Sequence, residues 1–229
     1  MTKHDFNGNY SYHMVNKLSI KRRVAIKLVK PFNNIFDQFS KLKVLRFLIR
    51  TEAELSGREM ARAVGISHVI CSRSLQELSQ HGLVKMRKVG RSILYSLNKE
   101  HILVDEILAP LFKKEKMLFL SLTRAILAPL SGPKPISMIL YGSQIDEKRV
   151  RPDSDFDILC IIPDQTNVKK FKGEISRSEA QIERKFGNCL SLLVMKRSEF
   201  LKRKKKREPL LFEIEEQHRL LFGKSFKEI

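Results

Sequence analysis

The sequence predicts an α+β protein in which a helix-rich region with one basic hairpin precedes a region of apolar strands mixed with helices. Three observations carry this. Apolar residues between 41 and 82 recur at helical spacing and are punctuated by capping signals. Two β-forming runs then face each other across Gly90. Beyond "SGPKP" at 131–135, the stretches "ISMILY" and "DFDILCII" have strand length and are followed by helical segments.

Composition bounds what such a chain does. Its 229 residues and 42% hydrophobic content suffice for two modest cores. A formal net charge of +19 and a pI near 10.0 point to a polyanionic partner, because Lys and Arg displace counterions condensed on phosphates. Cys71, Cys160 and Cys189 include no C-x-x-C pair and read as thiols of a reducing compartment. No apolar run approaches the roughly 20 residues of a membrane span, and the N-terminus lacks an apolar signal core. A cytoplasmic protein without a membrane partner is the expectation.

Residues 1–37 read as a basic tail in which "KLSIKRRVAIKLVK" forms at most a short helix before Pro31. A helix follows, with Leu42, Leu45, Leu48 and Ile49 on one face. Ser56 and Glu59 make a capping box for a short helix that turns Met60, Ala63 and Val64 inward. Gly65 ends it, Ser67 caps the next helix, and Gly82 closes that one, giving a helix-turn-helix. Two strands, Leu83 to Arg87 and Ser92 to Leu97, then turn at Val89-Gly90-Arg91.

This order of elements, with the phrases "LSGREMARAVGIS", "LQELSQHGLV" and "VGRSILYSLN", resembles a winged helix-turn-helix of the MarR or ArsR type over residues 38–100. Cys71, Leu75 and Leu78 define the inner side of its second helix, leaving Val69, Ser72, Arg73, Gln76 and Gln80 outside. Double-stranded DNA is the implied partner. Ser72, Arg73 and Gln76 would enter the major groove, Arg73 suiting guanine and Gln76 adenine. Arg87, Lys88 and Arg91 on the hairpin would meet phosphates. The alternative for such a module is protein pairing alone.

Residues 101–131 read as a helical connector, interrupted by Pro110, whose apolar surface covers the next domain or pairs with a second copy in a homodimer. The final domain, 132–229, opens with a strand ending at Tyr141. Gly142-Ser143 then turns the chain, and its backbone amides and hydroxyl suit phosphate oxygens. Asp155 and Asp157, two apart on a strand, project to one side. Paired carboxylates repel unless a cation sits between them, and Mg²⁺ takes one or two carboxylates together with substrate phosphates.

Gly142-Ser143, an eleven-residue gap and Asp155-Phe156-Asp157 resemble the signature of the DNA polymerase beta-like nucleotidyltransferase superfamily, nearest to its minimal, antitoxin-type members. The resemblance implies that Asp155 and Asp157 are catalytic metal ligands and that Gly142 and Ser143 bind an NTP. It extends through a helical stretch near Asn167 to Phe186, the strand "CLSLLVM", "RSEF" and the C-terminal tail. Two departures stand out. The loop "QIDEKRVRPDS" lacks the family's glycine, and the strand Cys189 to Met195 lacks the third carboxylate, with Ser191 as its one polar candidate facing the site. Asp146, Glu147 and Asp153 are possible substitutes. The expected activity is Mg²⁺-dependent binding of an NTP, with nucleotidyl transfer to a protein or RNA hydroxyl. The alternative is a transferase-impaired regulator or antitoxin that senses nucleotide or binds a toxin protein. The run Lys202 to Arg207 reads as a solvated helix face or a contact for phosphates or an acidic partner.

Overall fold

The computed structural model describes residues 28–146 and 149–229. Residues 1–27 of the expected basic tail, with most of the stretch expected to form a short helix, lie outside the described residues, as does Glu147. The chain divides into two compact units between Phe112 and Lys113.

The first unit is built on α1 (Phe39–Thr51), α2 (Gly57–Val64) and α3 (His68–Gln80), with β1 (Leu55–Ser56), β2 (Val84–Val89) and β3 (Ser92–Leu97) in an antiparallel sheet of order β1-β3-β2. That is a winged helix-turn-helix. Local signals set it. Ser56 Oγ accepts from the Glu59 amide at 3.4 Å while the Ser56 amide donates to Glu59 Oε2 at 2.8 Å. Gly65, at φ +66°, ends α2, and Ser67 accepts from the Ile70 amide at 3.3 Å to start α3. The core joins Val44, Leu45, Leu48, Met60, Cys71, Leu75 and Leu78 to Leu97 and Ile35. In α2 it is Ala61 rather than Ala63 that is buried with Met60, since positions 60, 61 and 64 share the inward face and Ala63 falls at its exposed edge. The hairpin is also longer than expected: β2 pairs through Val89 opposite Ser92, leaving a two-residue turn at Gly90-Arg91.

Lys41 is a charge that the pattern of α1 does not reveal as buried. Its side chain is 2% exposed, and Nζ donates to Asn34 O at 2.8 Å and meets Asp37 Oδ1 at 2.9 Å and Glu77 Oε2 at 2.6 Å. The segment before α1 is thereby tied to α3. Burial alone would lower the lysine pKa, but the bonds to Glu77 and Asp37 outweigh it and raise it.

Pro110 does not interrupt the connector. A π-helical stretch, Leu103–Leu108, runs directly into α4 (Ala109–Leu127). Proline falls in the first turn of α4, where its missing N–H costs least, and the wider turn ahead of it relieves its ring.

The second unit has a mixed sheet of order β6-β5-β4-β7, from β4 (Ser137–Tyr141), β5 (Phe156–Ile162), β6 (Leu190–Lys196) and β7 (Arg219–Gly223). β5 runs antiparallel to β4 and parallel to β6. Alternation along the strands fills two cores. Met138, Leu140, Ile158, Cys160 and Ile162 pack with α5 (Val168–Ser176), α6 (Glu179–Phe186) and the end of α4. Ile139, Leu159 and Ile161 pack on the other face with α7 (Arg197–Lys205) and α8 (Pro209–Glu216). The helical stretch near Asn167 to Phe186 is thus two helices, parted at Arg177-Ser178.

Candidate functional site: an acidic pair on the second sheet

β4 and β5 bring the four predicted residues together. Tyr141 lies opposite Asp157 in the antiparallel pair, so the turn that follows Tyr141 closes over the start of β5. This turn, Gly142–Ile145, is a short 3-10 helix that Gly142 enters at φ +77°. A Cβ on Gly142 would stand 2.5 Å from Asp157 Oδ2, so any other residue here would displace that carboxylate as well as strain the backbone. Asp155 sits one residue before β5 and is exposed, whereas Asp157 is half-buried within it.

Burial is the main reason that the Asp157 carboxyl is pushed above the ordinary aspartate range, and the neighbouring charge of Asp155 adds to this. A hydrogen bond from Ser191, its register partner on β6, opposes the shift. Among the described residues neither carboxylate has an ion pair, in a chain of net charge +19. Two neighbouring acids with no ion-pairing cation among the described residues could hold a hard divalent ion of the Mg²⁺ type. No cluster of three His, Cys, Asp or Glu suited to a metal occurs among the described residues, so Asp146 and Asp153 do not join the pair.

The loop before Asp155 is held by residues that sequence reasoning missed. Gln144 Nε2 donates to Ser154 O at 2.6 Å, and Asn188 Nδ2 donates to Pro152 O at 3.0 Å and Ser154 O at 2.9 Å. Asn188 acts from 34 and 36 residues away, and nothing in its local sequence signals that role. Tyr141 also belongs to the site, its phenol pKa raised by burial and by the Asp157 charge.

In the first unit, α3 presents the predicted face. Val69 is 77% exposed, Arg73 and Gln76 are exposed, and Ser72 is half-buried and hydrogen-bonded to His68 at 3.3 Å. The two arginines are already engaged. Arg73 Nε donates to Glu77 at 2.9 Å, and Arg87 makes two bonds to Glu54, at 2.9 and 2.6 Å. Lys88 and Arg91 at the hairpin tip make no ion pair among the described residues and are exposed.

No family model and no curated protein matches the sequence. Similar solved structures cover parts of the chain. A fragment of a possible transcriptional regulatory protein from Mycobacterium bovis is 25% identical over 37% of this chain and 83% of its own, with a TM-score of 0.29. Reduced HlyU from Vibrio cholerae is 26% identical over 34% of this chain and 78% of its own, at 0.30. A toxin-antitoxin structure with AMP-PNP is 15% identical over 48% of this chain and 77% of its own, at 0.33. Scores at this level say nothing about chemistry, which rests on the residues.

Proposed function

We propose that this chain is a DNA-binding regulator whose second unit binds a magnesium–nucleoside triphosphate, with nucleotidyl transfer slow at most. The observation that carries the nucleotide reading is the closure of Gly142 on the Asp157 carboxylate beside Asp155, with both acids unpaired. In this reading the amides after Gly142 and the Ser143 hydroxyl bind phosphate oxygens. Asp155 and Asp157 hold Mg²⁺, which when bound neutralises phosphate charge and aligns an attacking hydroxyl with the leaving pyrophosphate. Ser191 orients Asp157 by its hydrogen bond, and the loop bonds of Gln144 and Asn188 keep Asp155 in place.

Ser191 also explains the slow chemistry. A hydroxyl at that position adds no charge to hold an activating metal and is too weak a base to take a proton from an acceptor hydroxyl. Losses of this kind typically cost about 10² to 10⁴ in rate. Sensing of nucleotide is therefore favoured over modification of a protein or RNA acceptor. In the first unit, support for DNA binding comes from the exposed face of α3 and the unpaired cations at the wing tip.

Two measurements test the two halves. Labelled NTPs with Mg²⁺ should bind the wild type and not Asp155→Ala, and incubation with cell extract should give little or no labelled acceptor. Rapid labelling lost in Asp155→Ala would replace sensing by transfer. Gel shifts on the chain's own upstream DNA should weaken with salt and with Arg73→Ala, and binding indifferent to both would remove the regulator reading.

A further inference from the structure

Lys202 to Arg207 is an unbroken run of six cations at the end of α7, and its members fall into two groups. Arg203 sits between Glu199 at 2.6 Å and Glu208 at 3.2 Å. Lys204 donates to Phe226 O at 2.7 Å and lies over the rings of Phe200 and Phe226. These two hold the fold. Lys202, Lys205, Lys206 and Arg207 are exposed, and none has an ion pair, a side-chain hydrogen bond or a ring contact among the described residues. The partial negative charge at a helix C-terminus favours a cation or two there, but four unpaired ones repel each other more than that field repays.

A second, independent feature lies in the backbone. Arg207 has φ +52°, and the bonds Arg207 N to Lys204 O at 3.0 Å and Glu208 N to Arg203 O at 3.2 Å close the end of α7 around it. Glycine fills this left-handed position after a helix without strain, whereas a residue with a Cβ adopts it at a cost. Arginine is present all the same, and its guanidinium has no partner among the described residues.

We propose that Lys202, Lys205, Lys206 and Arg207 form a binding surface for the phosphate backbone of a nucleic acid, a contact of the second unit that depends neither on the acidic pair nor on the α3 face. Flexible point charges in a row suit a regular line of phosphates. A protein partner would call for an apolar centre depleted in lysine, and a membrane surface for an amphipathic helix with an exposed apolar face. In α7 Phe200 is wholly buried, and Leu201, 39% exposed, is a lone apolar residue beside the cations rather than an apolar face.

The test uses the full chain, with a 30-nucleotide single-stranded RNA and a duplex DNA of arbitrary sequence as probes. Affinity is measured against salt for the wild type and for a variant carrying Lys202→Gln, Lys205→Gln, Lys206→Gln and Arg207→Gln. The slope of log affinity against log salt should shrink by about 3.6 on duplex DNA and about 2.8 on RNA, from about 0.9 or 0.7 per lost phosphate contact. Arg207→Gly should reduce the slope by about 1 on duplex DNA while its melting temperature holds or rises, since glycine relieves the backbone. Slopes unchanged in the fourfold variant on both probes would overturn the proposal. So would an Arg207→Gly protein that melts earlier and binds as before, which would give Arg207 a structural role. Lys88→Ala with Arg91→Ala serves as the control: a loss confined to that variant leaves DNA binding by the first unit intact and rejects this surface.

Discussion

Asp157 concentrates the account's chemistry in one side chain. Its carboxyl pKa is raised chiefly by burial, so the folded state favours its protonated form. The sign follows: the associated stability is fully present below the ordinary aspartate pKa and is lost as pH rises through the folded value. At neutral pH the charge is a local cost that a bound cation would remove. Asp157→Asn should therefore raise the melting temperature of the second unit by about 2 °C at pH 7, a gain that shrinks as pH falls through the raised folded pKa and is gone below the ordinary aspartate range, and should abolish Mg²⁺-dependent nucleotide binding. Thermal scans across pH on both proteins check this. Ser191→Asp should do the reverse, lowering stability without metal, raising Mg²⁺ affinity about tenfold and speeding transfer, read as pyrophosphate release, by about 10². At Lys41, replacement by Met should cost about 2 kcal/mol in denaturant titrations, discounted because Asp37 and Glu77 keep contact with water. The two acids were legible as a close pair at the entry to β5, although Asp155 lies just ahead of the strand rather than on it, and the want of a third acid was an expectation carried by the resemblance alone. Lys41 was not legible, because a buried lysine looks like any other basic residue in a helix until its acids arrive from 4 and 36 positions away.

At the level of elements, the N-terminal fold was readable because each boundary carries its own chemistry: a capping box at Ser56 and Glu59, a left-handed glycine at 65, a cap at Ser67. What failed were boundaries that tertiary pairing decides. The wing runs two residues further along its first strand than β-propensity suggested, because Lys88 and Val89 find partners in Ile93 and Ser92. Pro110 was read as an interruption, yet a proline in a first turn is compatible with a continuous helix. For α3 and the wing, the expected outcomes differ in kind. Arg73→Ala should lose about 1–3 kcal/mol on one preferred DNA sequence and little on others, since Glu77 holds Nε and fixes where the guanidinium points. Lys88→Ala and Arg91→Ala should weaken binding to all sequences and lower the salt slope by about 1 each. Titrations on matched and mismatched duplexes separate the two.

For the whole molecule, the charge of +19 and the acidic pair are complementary features of two units with separate cores. Each ligand should therefore stabilise its own unit by mass action: duplex DNA should raise one calorimetric transition and magnesium–nucleotide the other. The boundary was expected at "SGPKP", residues 131–135, whereas the two compact units divide between Phe112 and Lys113, inside the connector, since Leu108 and Phe112 enter one core and Leu122 and Ile126 another. Periodicity shows that a helix is apolar and not which core it serves. The central claim is that Asp155 and Asp157 hold a metal-bound nucleotide under the Gly142 turn. Isothermal titration of ATP, CTP, GTP and UTP, each with and without Mg²⁺, tests it most directly. The account predicts one site for at least one triphosphate, dependent on Mg²⁺ and lost in both Asp155→Ala and Asp157→Ala. Absence of binding by all four with Mg²⁺ present, or binding that survives both substitutions, would contradict it.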